Sequence, residues 1–167
     1  MPVLIVTGAA AAGKSTVRKA MTSDPRVVAV EGDVMAAGAA AVADGRRDYE
    51  RFWAYMLNVA RELHENGLIP LFCCICLPAQ VVSQAGKDQA LHFLALVSNE
   101  QTVRTRIAER VDTSPPESTD FHVAFEAELR GASVSSPHSL RTLDVTHLRP
   151  METVAHAEQW VSAILGR

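Results

Sequence analysis

Apolar residues along this chain fall into two rhythms. Continuous aliphatic runs, the mark of strands buried on both faces, occupy residues 2–7, 26–30, 68–77, 90–97 and, more briefly, 140–145. Between them the period lengthens. From Tyr49 to Glu65 the residues Phe52, Tyr55, Met56, Val59, Ala60 and Leu63 recur at three- and four-residue spacing, and Asn66-Gly67 closes the stretch as a helix C-cap. The same reasoning places helices at 14–21, 34–43, 79–85, 100–110, 120–130 and 150–165. Ser98 and Asn99 cap the fourth of these and Pro150 opens the last. Punctuation falls between: Ser23-Asp24-Pro25, the polar loop Asp44 to Asp48, Pro78, Gly86-Lys87-Asp88, Thr113 to Ser118, and the serine-rich 131–139. Pro70 sits near the start of its strand, where a missing N–H is best tolerated. Strands alternate with helices from end to end, which predicts a parallel α/β sheet covered on both faces. Ligands of such sheets bind at the C-terminal ends of the strands.

Bulk composition narrows this only slightly. A chain of 167 residues suggests one domain, 1–167, with a full-sized core. A hydrophobic share of 48% and a charged share of 21% are ordinary for a soluble globular protein. The net charge of −3 gives no reason to expect a nucleic-acid partner. No apolar run reaches membrane-spanning length, so no membrane partner is expected either. Residues 2–12 are apolar and end in alanines, but no basic segment precedes them and Gly13-Lys14-Ser15 follows at once. They read as a strand rather than a secretory signal, and the expected location is cytoplasmic. Cys73, Cys74 and Cys76 lie in an apolar run and read as small buried hydrophobes rather than metal ligands. The six histidines show no ligand spacing, and His92, inside a strand, reads as a core histidine.

The sharpest stretch is Gly8-Ala9-Ala10-Ala11-Ala12-Gly13-Lys14-Ser15-Thr16, which meets the phosphate-loop pattern G-x-x-x-x-G-K-[ST] at every fixed position. A strand precedes it and a helix follows, as the pattern requires. Gly8 and Gly13 let successive N–H groups turn toward phosphate oxygens. The helix N-terminus adds partial positive charge. Lys14 would reach the β- and γ-phosphates, and the Ser15 hydroxyl would take a Mg²⁺ position.

Two carboxylates, Glu31 and Asp33, follow the second strand and so land on the same sheet edge. Asp33 is placed to accept a hydroxyl proton in line with a γ-phosphate, and Glu31 to hold Mg²⁺ directly or through water. Arg106 and Arg110 are four apart and share a helix face ahead of a Ser/Pro-rich loop that can close as a lid, about 104–120. Arginine suits the charge spread over a phosphoryl group in transfer. Arg46, Arg47 and Trp53 lie where an acceptor-binding insertion would fall, although the neighbours of Trp53 also keep a core stripe.

Gly8 to Ser15, Glu31-Gly32-Asp33 and Arg106-x-x-x-Arg110 together resemble the small P-loop kinases: shikimate, gluconate, adenylylsulfate and nucleoside monophosphate kinases. Phe52-Trp53 through Pro78 and Leu91 to Arg110 resemble the tunicamycin-resistance and chloramphenicol-phosphotransferase branch. The resemblance implies a five-stranded parallel core in the order 2-3-1-4-5, and ATP and Mg²⁺ as cofactors. It implies Asp33 as acceptor-site base, Glu31 in the metal shell, Arg106 stacked on adenine, Arg110 on the phosphates and Pro150 near the adenine. The sequence departs from the pattern at the end of strand three, which carries no carboxylate, and after Asp33, where Val34-Met35-Ala36 replaces the histidine of gluconate kinase. The expected activity is ATP-dependent phosphorylation of a small hydroxylated acceptor by a monomer or homodimer. A nucleoside monophosphate kinase and a non-catalytic ATP-binding protein that sequesters a ligand are the alternatives. A GTPase switch is disfavoured, because Asn-Lys-x-Asp is missing.

Overall fold

In the computed structural model five parallel strands form one sheet, and residues 1–39, 42–43, 46–47, 49–109 and 118–166 are described. In chain order the elements are β1 (Pro2–Thr7), α1 (Lys14–Met21), β2 (Val27–Glu31), α2 (Gly32–Ala39), β3 (Val42–Ala43), β4 (Arg46–Arg47) and α3 (Tyr49–Glu65). Then follow β5 (Ile69–Cys74), α4 (Pro78–Val82), β6 (Ala90–Val97), α5 (Glu100–Ala108), α6 (Thr119–Gly131), β7 (Ser139–Asp144) and α7 (Pro150–Leu165). The sheet order is β2-β5-β1-β6-β7, which is 2-3-1-4-5 when only the large strands are counted. Both the α/β class and the strand order agree with expectation.

The sheet is dressed on both faces because its central strands are apolar at nearly every position. Val3 and Ile5 of β1 point to one side, with Phe72, Leu91 and Phe93, and are covered by Phe52, Trp53, Met56 and Leu57 of α3 and Val81 of α4. Leu4 and Val6 point to the other, with Leu71, Leu94 and Leu96, and meet Val17 and Met21 of α1 and Trp160 and Val161 of α7. Each such side chain, fully buried, contributes about 1.5–3 kcal/mol. A third cluster joins Phe125 and Leu129 of α6 to Ala9, Ala95 and Val97, which fixes α6 beside the strand ends. The cysteines are buried free thiols, as expected. Burial foremost pushes the Cys73 thiol up to about 12.

Three expectations need correction. Trp53 is a core residue and not a border of an acceptor site. It is 1% exposed, and its ring meets Phe52 and Phe72 edge-on at 5.3 and 6.3 Å. The helix expected over 34–43 begins earlier, at Gly32, and ends at Ala39; Val42–Ala43 instead pairs antiparallel with Arg46–Arg47. Alanine-rich sequence has high helix propensity, but local pairing overrides it here. His92 is half-buried rather than core, and its Nδ1 meets Ser139 Oγ at 2.8 Å.

Register decides what lies at the functional edge. Thr7, the last residue of β1, is level with Cys74 on one side and Ala95 on the other. Glu31, ending β2, is level with Cys73. The Thr7 hydroxyl extends the pairing one step further: it donates to Cys76 O at 2.6 Å and accepts from Cys76 N at 3.2 Å. This pins the chain just past β5 to the base of the loop that leaves β1.

Candidate functional site

The stretch after Thr7 turns tightly over the strand ends. A Cβ at Gly8 would stand 2.6 Å from Leu96 O, so only glycine fits against β6 there. Gly13, at φ 102°, sits left-handed as the N-cap of α1, and Ala11 is also left-handed at φ 61°. The loop bonds back on itself through Ala12 N to Ala9 O at 3.3 Å, while Thr16 N and Val17 N donate to Gly13 O as α1 begins. Side chains from Ala9 to Ala12 are single methyl groups, so the backbone is unobstructed. The result is the concave backbone cradle at a helix N-terminus that suits an anion.

Lys14 crosses this cradle. Its side chain is 6% exposed, and its ammonium donates to Gly8 O and Ala9 O, each at 2.9 Å. Ser15, beside it, is exposed.

Asp33 is brought to the same place by α2. Gly32 starts that helix hard against β5, where a Cβ would meet Cys74 Cβ at 2.7 Å. Asp33 Oδ1 then accepts the Ile75 N–H at 2.8 Å, and Oδ2 lies 3.9 Å from Lys14 Nζ. The carboxylate is thus oriented by backbone and held beside the cation, with 41% of its side chain still open to solvent. Glu31 is arranged differently. Its Oε2 accepts from Arg18 Nε at 3.0 Å, an ion pair between α1 and the end of β2.

The arginines divide. Arg106 donates to Val145 O at 2.8 Å and to Thr146 O at 3.5 Å, tying α5 to the segment that leads from β7 toward Pro150. Arg104 instead bridges Glu100 and Asp120, at 2.8 and 2.9 Å, across α5 and α6. Arg110 lies outside the described residues, as does 110–117 of the expected lid. Arg46 and Arg47 have a described backbone in β4, and their side chains fall outside the description.

Two side chains that sequence reasoning passed over complete the site. Both come from α6. His122, buried, accepts the Ala10 N–H through Nδ1 at 3.4 Å, a long bond. Glu126, also buried, accepts the Ser98 N–H through Oε2 at 3.0 Å. Burial foremost raises the Glu126 carboxyl above its usual range, while the N–H groups of Ser98 and Ala9, then Arg130 and Lys14, pull it back. The signal was legible in part: His122, Phe125, Glu126 and Leu129 occupy one inward face of α6, so two polar groups stand on an apolar stripe. Among the described residues no group of three or more His, Cys, Asp and Glu gathers as a metal site, and no helix is long and apolar enough to cross a membrane.

No family model matches the chain, and no curated protein matches it. Solved structures do match. A sugar kinase from Janibacter sp. HTCC2649 aligns with TM-score 0.72 at 16% identity, over 97% of this chain and 95% of its own. The tunicamycin resistance protein of Deinococcus radiodurans aligns with TM-score 0.68 at 17% identity, over 98% and 95%. A gluconokinase from Sinorhizobium meliloti 1021 aligns with TM-score 0.57 at 16% identity, over 98% and 93%. The chain thus has the fold seen in small-molecule kinases with a phosphate loop, across nearly its full length.

Proposed function

We propose that this chain is an ATP-dependent phosphotransferase that moves the γ-phosphate of ATP to a hydroxyl of a small molecule such as a nucleoside, sugar or antibiotic. One observation carries the reading: a carboxylate fixed by backbone, Asp33, stands 3.9 Å from the phosphate-loop lysine at the C-terminal edge of the sheet. Residues Gly8 to Thr16 would surround the phosphates, chiefly through the N–H groups of Ala11, Gly13, Lys14 and Ser15, with Lys14 exchanging its two carbonyl partners for phosphate oxygens. Asp33 would receive the acceptor's proton and orient its oxygen. Arg106 and Pro150 would border the adenine, Arg110 would meet the transferring group, and Arg46 and Arg47 would face the acceptor.

The residues present fit Mg²⁺ as well as ATP. Ser15 would hold it directly, and Glu31, which keeps Arg18 as partner, through water. When bound, the ion neutralises charge on the β- and γ-oxygens. The sheet, the loop and a lid spanning about 104–120 form one domain in this reading, acting in the cytoplasm as a monomer or homodimer, without nucleic acid or membrane.

The end of β5 favours a second reading. Cys74-Ile75-Cys76 supplies no carboxylate there, which suits a protein that binds ATP and sequesters a ligand without phosphorylating it. An ATP-consumption screen over nucleosides, nucleotides, sugars and antibiotics, with Asp33→Asn as control, separates the two. An acceptor-stimulated turnover that falls at least a hundredfold in the variant, with ATP binding kept, is the expected result; ~2.7 kcal/mol of transition-state stabilisation corresponds to that factor. ATP binding without acceptor-stimulated turnover would move the assignment to the sequestering protein.

A further inference from the structure

The phosphate loop has an unusual weakness. Ala9 to Ala12 carry no polar side-chain atom, so this stretch cannot brace itself by side-chain hydrogen bonds of its own. Ala11 also holds a left-handed conformation, φ 61°. For a residue with a Cβ that conformation is unfavourable, and it persists only where surroundings over-determine it. In the free chain Lys14 supplies part of the bracing, through Gly8 O and Ala9 O. That contribution is lost once the ammonium turns to phosphate.

On the far side stands α6. Its position is set by Phe125 and Leu129, which pack against Ala95 and Val97 of β6 as well as Ala9 of the loop. From this anchored helix His122 reaches Ala10 N, next to Ala11. One turn on, Glu126 accepts the Ser98 N–H at 3.0 Å and so ties α6 to the end of β6.

We propose that His122 and Glu126 are positioning residues of the phosphate loop. From successive turns of α6, His122 holds the Ala10 N–H and Glu126 fixes the helix to the end of β6, so that the loop keeps the shape that receives a nucleotide's phosphates. The inference rests on the nucleotide-site reading above. It makes α6 part of the phosphate site, although none of its residues need touch the nucleotide.

Calorimetric titration of the full chain with Mg·ATP tests it. Wild type is titrated first. Against it stand His122→Leu and Glu126→Leu, which remove the acceptor, and His122→Asn and Glu126→Gln, which keep an oxygen near the same place. Each leucine variant is expected to weaken binding about tenfold, the effect of one buried N–H left unmet. The asparagine and glutamine variants should stay within about threefold. Adding Ala11→Gly to His122→Leu should recover most of the loss, because glycine removes the strain that the bond restrains. A purely space-filling role would not give that recovery.

Folded leucine variants that bind like wild type overturn the proposal, as does equal weakening by leucine and its conservative counterpart. Failure of the wild type to bind any Mg·nucleotide instead overturns the nucleotide-site reading, and this inference with it. Hydrogen exchange at the Ala10 amide of the free wild type needs no variant. Protection is expected, and exchange as fast as an open loop refutes the bond.

Discussion

Lys14 carries an ammonium into a nearly closed position with two carbonyls as partners and Asp33 at 3.9 Å. Taking a cation out of water is costly, and carbonyl dipoles return only part of that cost. The free chain therefore gains little from the charge, whereas a bound triphosphate would gain much. Lys14→Met keeps the buried stem and discards the charge. Its thermal midpoint should fall only slightly, because Gly8 O and Ala9 O lose their donor while the costly buried charge goes too, whereas Mg·ATP affinity falls at least a hundredfold, about 2.7 kcal/mol. Scanning calorimetry and titration read the two halves separately. At this scale the sequence was informative wherever chemistry follows a fixed spacing: Gly8, Gly13, Lys14 and Asp33 all come together as their positions implied. It expected Glu31 to hold Mg²⁺ but was silent on its ion pair with Arg18, which lies on another element. It misjudged Trp53, because an aromatic near a candidate insertion and an aromatic in a core stripe look alike until the helix is seated.

The first turn of α2 shows how an element delivers a side chain. Gly32 lets the helix begin against Cys74, and only that closeness puts Asp33 within reach of Ile75 N. Gly32→Ala inserts a Cβ where Cys74 Cβ stands 2.7 Å away, so α2 must move outward. The variant should lose about 1–3 kcal/mol of stability by denaturant unfolding. Its acceptor-dependent turnover should fall further than its Mg·ATP affinity, because the phosphate loop is not on α2. Element boundaries were well read where periodicity is strong: 14–21, 49–65, 90–97 and 150–165 agree with α1, α3, β6 and α7. The misread stretch, 34–43, is one where alanine gives high propensity but no amphipathic stripe, so nothing in the pattern marks where helix yields to the β3–β4 pair.

Across the whole molecule, buried ionisable groups link the site to folding. Glu126 has its carboxyl raised, with burial the leading cause, and the charged or titratable groups around it are Lys14 of α1 and Arg130 and His122 of α6. A raised carboxyl means that the folded state binds more protons than the unfolded chain above the usual value of 4.5. The stability this group contributes is therefore full below that value and is lost as pH rises through the folded one. Asp144 runs the other way. The Thr146 hydroxyl first, then the Thr146 N–H and Arg130, lower its carboxyl, so its contribution is present above the usual value of 3.8 and lost as pH falls through the folded one. Thermal midpoints over a pH series should show Glu126→Gln gaining on wild type as pH rises above 4.5. Asp144→Asn should fall behind at neutral pH and converge with wild type in acid.

By itself the sequence determined the layered α/β architecture and the presence of a phosphate loop, because both follow from local rules: apolar period, turn chemistry and a fixed motif. Strand order entered only with the family resemblance, and pairing in the structure then established it. What only tertiary structure decided is which distant groups serve the loop. Ile75 N orients Asp33 across 42 residues, and His122 reaches Ala10 across 112. No local pattern encodes such contacts; they arise because parallel crossovers carry every strand's C-terminal end to one edge, where a helix late in the chain can close over a loop near its start.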